Sequence, residues 1–141
     1  MILMDVNVLI YAHRENAADH PRFRDWLASV VEQPEPFAVA DLILSAFVRI
    51  VTHRRIFDPP TPLSHALEFS GSLRGQPNAV SISPGERHWD IFTELCTHAQ
   101  ARGPLITDAY FAALAIESGC EFITTDRDFS RFPGLRWRRP F

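Results

Sequence analysis

The stretch Ile2-Leu3-Met4-Asp5-Val6-Asn7-Val8-Leu9-Ile10 limits the choice of fold more than any other part of the chain. A strand buried on both faces of a parallel sheet reads as an unbroken apolar run. Open α/β sheets place their chemistry just past the carboxyl ends of such strands. The run therefore predicts a first strand over residues 2–5 that delivers the Asp5 carboxylate to a sheet edge. A charge there is costly to bury unless it has a partner or a metal. The competing reading is that Asp5 only caps the helix that follows. This stretch alone leaves both readings open.

A chain of 141 residues is enough for one domain with a substantial core, and a single domain over 1–141 is expected. Apolar content of 46% and charged content of 22% are ordinary for a soluble globular protein. Asp5 stands where a secretory leader would carry basic residues, and no apolar run reaches the roughly 20 residues that span a bilayer. Cys96 and Cys120 have no CxxC spacing, so neither a disulfide framework nor a zinc site is indicated. A cytoplasmic setting without membrane attachment fits best.

The net charge of −3 is not the footprint of a strongly basic nucleic-acid binder. All fourteen basic residues are Arg, however, and several cluster, as Arg54-Arg55 and as Arg127, Arg131, Arg136, Arg138 and Arg139. Arg is the better residue for bidentate phosphate contact. The absence of Lys excludes P-loop nucleotidases, whose GxxxxGK[ST] motif requires one. It also argues against aspartyl-phosphate enzymes, which use a Lys and place a second Asp where this chain has Asn7.

Asn7–His13 reads as a short helix. The next helix has Asp19 as its expected N-cap and Pro21 in its first turn, and ends at Pro34 and Pro36. Residues 37–39 form a short strand. A third helix begins near Asp41 with apolar residues at 42, 43, 46, 47, 50 and 51, a wider stripe than one core needs. Residues 62–75 predict a helix with Leu63, Ala66, Leu67 and Phe69 inward, and 79–82 a strand. A helix after Glu86 places Trp89, Phe92, Leu95, Cys96 and Ala99 on one face, so Trp89, like Trp26, is assigned to the core. Gly103-Pro104 breaks the chain, and Thr107 caps an Ala-rich helix over 108–118 that Gly119 ends. Strands follow at 122–125 and 135–138. Strands alternating with helices predict a parallel sheet covered on both faces.

Three acids then stand at strand ends or helix starts: Asp5, Asp108 and Asp126. In a parallel sheet Asp5 and Asp126 share one edge. Asp108 joins them only if its helix starts there. Carboxylates brought together repel, and one or more should have a raised pKa. A hard divalent cation removes the conflict, and oxygen ligands without His or Cys select Mg²⁺ or Mn²⁺ over Zn²⁺. Such a site suits phosphodiester hydrolysis. Singly, Asp108 also reads as a favourable charge at a helix start, and Asp126 as a turn residue.

The chain resembles the PIN-domain ribonucleases, and among them the VapC toxins of toxin–antitoxin pairs. The resemblance rests on Met4-Asp5-Val6-Asn7-Val8-Leu9-Ile10-Tyr11-Ala12, on residues 44–52, on Ile106-Thr107-Asp108-Ala109, on Thr124-Thr125-Asp126-Arg127-Asp128-Phe129, and on Phe132-Pro133-Gly134-Leu135-Arg136-Trp137. It implies a three-layer α/β/α sandwich with a central, mainly parallel sheet. It further implies a Mg²⁺- or Mn²⁺-dependent endoribonuclease leaving 5′-phosphate and 3′-hydroxyl ends, with Asp5, Asp108 and Asp126 on the metal. Asn7 and Thr124 match supporting hydrogen-bonding positions. An RNA substrate, a VapB-type antitoxin and a homodimer are the implied partners.

One residue departs from the pattern. The family commonly carries a Glu in the third helix where this chain has Ala46, which puts the second metal position in doubt. Asp41 and Asp128 are the candidate replacements, and a one-metal mechanism is the corresponding expectation. Candidate RNA contacts are His53, Arg54, Arg55 and Arg127, with His13 and Arg14 behind them. The alternative from a different class is a catalytically impaired PIN-fold module that binds RNA or another partner.

Overall fold

The computed structural model describes residues 1–141. In chain order the elements are β1 (Ile2–Met4), α1 (Val6–His13), α2 (His20–Glu32), β2 (Phe37–Ala40), α3 (Asp41–Val51), α4 (Leu63–Arg74), β3 (Ala79–Ile82), α5 (His88–Ala99), α6 (Pro104–Ser118), β4 (Glu121–Ile123), a 3-10 turn over Arg127–Arg131, and β5 (Trp137–Arg138). The strands form one sheet in the order β3-β2-β1-β4-β5. Every pairing is parallel, with Ile2 opposite Phe37 on one side and Glu121 on the other.

Parallel neighbours need crossovers, and these are right-handed. Stepping from β1 to β2 to β3 stacks the first four helices on one face, where α1 packs on α2 and α3, and α3 on α4. Returning past β1 to β4 puts α5 and α6 together on the other face. The result is the expected three-layer sandwich. β1 is its centre: Leu3 and Met4 are buried, as are all four residues of β2. α6 is buried on most of its circumference through Ala109, Phe111, Ala112, Ala113, Leu114 and Ala115. Small side chains let this helix lie close against the sheet.

Several local expectations change. Gly103-Pro104 does not break the chain; it starts α6, with Gly103 at φ 58° as N-cap and Pro104 in the first turn. Proline suits that position because its missing N–H has no partner to lose. Thr107 is therefore not a cap but lies inside the helix. Asp19 stands at the head of α2, yet its side chain accepts no capping bond. Leu63 and Leu67 are 59% and 54% exposed, because the buried line of α4 runs through Ala66, Ser70 and Leu73. Trp89 is 65% exposed; His88 and Leu95 take the buried positions of α5 instead. The broad stripe on α3 is only partly used, and Leu42 remains 48% exposed.

His13 and Arg14 serve the fold. The His13 ring packs edge-on against Phe47 and Phe69, and its Nε2 meets the Thr61 hydroxyl at 3.1 Å. Arg14 donates to Pro59 O and Thr61 Oγ1 and lies over the Phe57 ring. Together they fasten the loop after α3 to the end of α1. No helix is long and apolar enough to cross a membrane.

Candidate active site

Chain order reverses between β1 and β4, which makes their carboxyl ends the switch point of the sheet. Neighbouring crossovers leave there in opposite directions, and a crevice opens between them. Asp5 directly follows β1, and Asp126 comes three residues after β4.

Asp5 is 6% exposed. One carboxylate oxygen accepts the Val6 N–H at 2.7 Å, so Asp5 does cap α1. The other accepts the Thr124 hydroxyl at 2.6 Å. The capping reading and the site reading hold together, one oxygen each. Thr124 is fully buried, and its Oγ1 also accepts the Asp126 N–H at 3.0 Å and the Asn7 side-chain amide at 3.3 Å. Asn7 in turn accepts the Thr125 N–H through Oδ1 at 3.4 Å. The Asp126 carboxylate accepts the Asp128 N–H at 2.8 Å, fixing the start of the 3-10 turn. A continuous hydrogen-bonded chain thus joins the end of β1 to the end of β4.

Asp108 arrives from the other face of the sheet, on the second turn of α6. It shares a cavity of about 530 Å³ with Asp126 and Asp128; Asp5 is buried and not part of that wall. The acids feel one another. Burial pushes the Asp5 carboxyl up to about 6, against the Thr124 and Val6 hydrogen bonds, with Asp108 and Asp126 adding repulsion. Burial also pushes Asp108 up to about 6, with repulsion from Asp126 and Asp128. The donor set is carboxylate oxygen with amide and hydroxyl support, which suits Mg²⁺ or Mn²⁺. As the side chains lie, no three His, Cys, Asp or Glu groups are close enough to hold one ion. With both Asp5 oxygens already engaged, binding requires Asp108 and Asp126 to turn toward Asp5.

The remaining candidates sort clearly. Asp128 is on the cavity. Asp41 begins α3 at the same edge of the sheet, but its carboxylate is taken bidentately by Arg74 at 2.7 and 3.2 Å, which holds it below the usual carboxylate range. Ala46 packs against the core and supplies no acid. His53, Arg54 and Arg55 follow α3 and do not line the cavity. From Asp41 the helix runs about 16 Å before reaching them. Arg127 is exposed between Asp126 and Asp128 and also stays off the cavity wall.

Gln100 and Arg102 of the wall escaped the sequence reading, and Arg131 stood there only as one of a cluster of arginines. Reading Gly103-Pro104 as a helix start would have placed Arg102 two residues ahead of α6, at the edge to which that helix brings Asp108.

Fold and site together define a three-layer α/β/α protein with an acidic crevice at the switch point of a parallel sheet. A sequence model of the PIN domain matches residues 2–135. The chain is 41% identical to the VapC ribonuclease Mb2897 of Mycobacterium bovis, over 99% of its own length and 95% of the relative. It is 41% identical to ribonuclease VapC25 of Mycobacterium tuberculosis, over 99% of each chain. The chain therefore belongs to the PIN-domain family, and within it to the VapC ribonucleases. Solved structures agree on the fold. The VapBC2 complex of Rickettsia felis bound to a promoter DNA fragment superposes with a TM-score of 0.70 at 17% identity, covering 99% of this chain and 98% of that one. Mycobacterium tuberculosis VapC20, a sarcin-ricin loop cleaving toxin, gives 0.66 at 16% identity, covering 96% and 99%.

Proposed function

We propose that the chain is the toxin of a type II toxin–antitoxin pair and acts as a Mg²⁺- or Mn²⁺-dependent endoribonuclease. The observation that carries this reading is the buried chain of hydrogen bonds from Asp5 through Thr124 to Asp126, in a family whose relatives are named ribonucleases. Asp5, Asp108 and Asp126 are the residues that would hold the ion, with Asp128 as a further carboxylate on the same cavity. When bound, the ion relieves the repulsion among the acids and supplies the positive charge that activates water and steadies the phosphate.

The protein's own contribution is orientation. Val6 N–H and the Thr124 hydroxyl each hold one oxygen of Asp5, which fixes the plane of its carboxylate and leaves the second lone pair of each oxygen for an ion. Asn7 and the Asp126 N–H hold the Thr124 hydroxyl in turn. In the reaction the oxygen of a water molecule bonds to phosphorus and the bond to the 3′ oxygen breaks. The proton lost by water ends on that oxygen, which leaves 5′-phosphate and 3′-hydroxyl ends.

A VapB-type antitoxin restrains the enzyme, and two copies pair. Leu42, Leu63 and Leu67, exposed on α3 and α4, supply apolar surface for such contacts. The deciding experiment is cleavage of total RNA by the wild type and Asp5→Asn, with Mg²⁺ and with EDTA, followed by mapping of the new 5′ ends. Cleavage that needs both the metal and Asp5 is expected. RNA binding without cleavage, indifferent to EDTA and to Asp5→Asn, would favour the non-catalytic module that Ala46 brings to mind.

A further inference from the structure

The acidic cavity has a second wall of opposite charge. α5 ends at Ala99, and α6 starts at Pro104. The connection is short and turns sharply: Gln100 is left-handed at φ 49° and Gly103 at φ 58°. Gln100 and Arg102 from this corner line the cavity, as does Arg131 from the end of the 3-10 turn. Asp108, Asp126 and Asp128 line the rest.

Most arginines of this chain have work inside the fold. Arg74 holds Asp41, Arg138 holds Glu121, Arg136 donates to Gly119 O and Arg139 to Thr125 O. The Arg102 side chain makes no hydrogen bond and no ion pair with the chain, and the Arg131 side chain reaches only Asp128, at 3.8 Å, with both members of that pair largely exposed. An exposed pair at that distance contributes little. The long Arg131–Asp128 contact is the one ion pair between the two signs on this cavity, so both guanidiniums keep most of their hydrogen-bonding capacity.

A phosphodiester strand fits that division. The acids repel it and accept it only through a cation. The guanidiniums accept it directly, by bidentate contact with phosphate oxygens. We propose that Arg102 and Arg131 clamp an RNA phosphate beside the scissile one, and so set where the strand enters the cavity. Arg102 comes from the α5–α6 corner and Arg131 from the end of the 3-10 turn, so the two jaws approach the strand from separate elements. Both contact the backbone, so they fix register without reading sequence. The assignment rests on the ribonuclease reading, because it takes the acid side of the cavity to be the place of cleavage.

The test uses the full chain with Arg102→Gln, Arg131→Gln, the double variant, and Arg102→Lys. Binding of a fluorescent single-stranded RNA is measured in EDTA over a salt series, and cleavage kinetics are measured with Mn²⁺. Each Gln variant should bind roughly five- to tenfold more weakly, alike for unrelated RNA sequences. The slope of log affinity against log salt should fall in magnitude by about 0.7 per arginine removed. KM should rise more than kcat falls, and Arg102→Lys should keep the slope while losing part of the affinity. Thermal melting should be unchanged, because both side chains are exposed. Wild-type affinity and slope in the Gln variants overturn the clamp, and leave the nuclease reading standing if the RNA is still cut. A wild type that binds RNA through these arginines but never cuts it refutes the nuclease and the placing of the clamp beside a scissile phosphate, and supports only the phosphate contact itself. A wild type that neither binds RNA in EDTA nor cuts it with Mn²⁺ overturns both.

Discussion

The two walls of the cavity are built in opposite ways. The wall at the ends of β1 and β4 is buried and tied: Asp5 has both oxygens engaged, and the Thr124 hydroxyl makes three hydrogen bonds. The wall from the α5–α6 corner and the 3-10 turn is exposed and loosely tied, with Arg102 unpaired and Arg131 on a long contact. The first wall spends folding free energy to hold like charges together. The second costs the fold almost nothing. Orientation of a charged reacting centre needs the former, because misplaced groups lose the benefit of fixed geometry. Capture of a flexible strand needs only the latter. Substitutions on the tied wall should therefore affect both stability and chemistry, and those on the loose wall only the hold on RNA.

The sharpest way to break this contrast is Asp5→Asn. Cleavage should fall by roughly 10³-fold or more, the scale on which fixed charges stabilise transition states. The same variant reports stability. Burial raises Asp5 from 3.8 to about 6. An acid whose folded pKa lies above its unfolded one contributes stability that is present below 3.8 and lost as pH rises through about 6. At neutral pH, without metal, Asp5 thus costs the fold about 3 kcal/mol. Asp5→Asn should melt higher relative to wild type at pH 8 than at pH 4, by a difference that Mn²⁺ reduces by stabilising the wild type. A constant difference across that range would show that Asp5 is not the strained acid.

Next in size is Thr124→Val, which keeps the shape and deletes the hydroxyl. It removes a donor from Asp5 and leaves the Asp126 N–H and the Asn7 amide without their acceptor. The cost should be about 1–3 kcal/mol in stability. Loss of an orienting partner should lower metal affinity or activity by about 10- to 100-fold. Thr124→Ser should recover most of both, and failure to do so would mean that the methyl, not the hydroxyl, matters.

A smaller effect is the pH profile of cleavage. Asp5 and Asp108, both near 6, must lose their protons before they take a cation. Activity should therefore climb as pH rises from about 5 to 7, and more Mn²⁺ should move the rise to lower pH. A profile flat through that window would separate these two acids from metal binding.

The architecture was legible because β1, β2 and β4 are short apolar runs with Asp, Ala-Asp or Thr-Thr-Asp at their ends, and alternation with helices allows little but a parallel sheet. Asp5, Asp108 and Asp126 could be named because carboxylates at such places are costly. What the sequence hid follows from the same physics. Trp89, Leu63 and Leu67 lie on apolar faces in one dimension, yet in space a residue or two of rotation puts Ser70, Leu73 or His88 inward instead. Arg102 and Arg131 were invisible as a pair because a loose wall leaves no mark in the sequence. Its residues are ordinary surface cations until the corner at Gln100 and Gly103 brings Arg102, and the 3-10 turn brings Arg131, to the cavity of the acids.

The smallest effect expected is at Asp41, and it tests where the missing Glu of α3 leaves this enzyme. Asp41 lies at the same sheet edge as Asp5, but Arg74 binds both of its oxygens, and both partners are exposed. Moving that carboxylate to the cavity would break a good bidentate pair and carry it from solvent toward other acids. Asp128 needs no such move, since it already faces Asp108 and Asp126. Asp41→Asn should therefore leave metal titration and cleavage indistinguishable from wild type, while Asp128→Asn weakens Mn²⁺ binding measurably. If Asp41→Asn is the more damaging of the two, the α3 side supplies a ligand after all. The tied wall would then extend past β1 to β2.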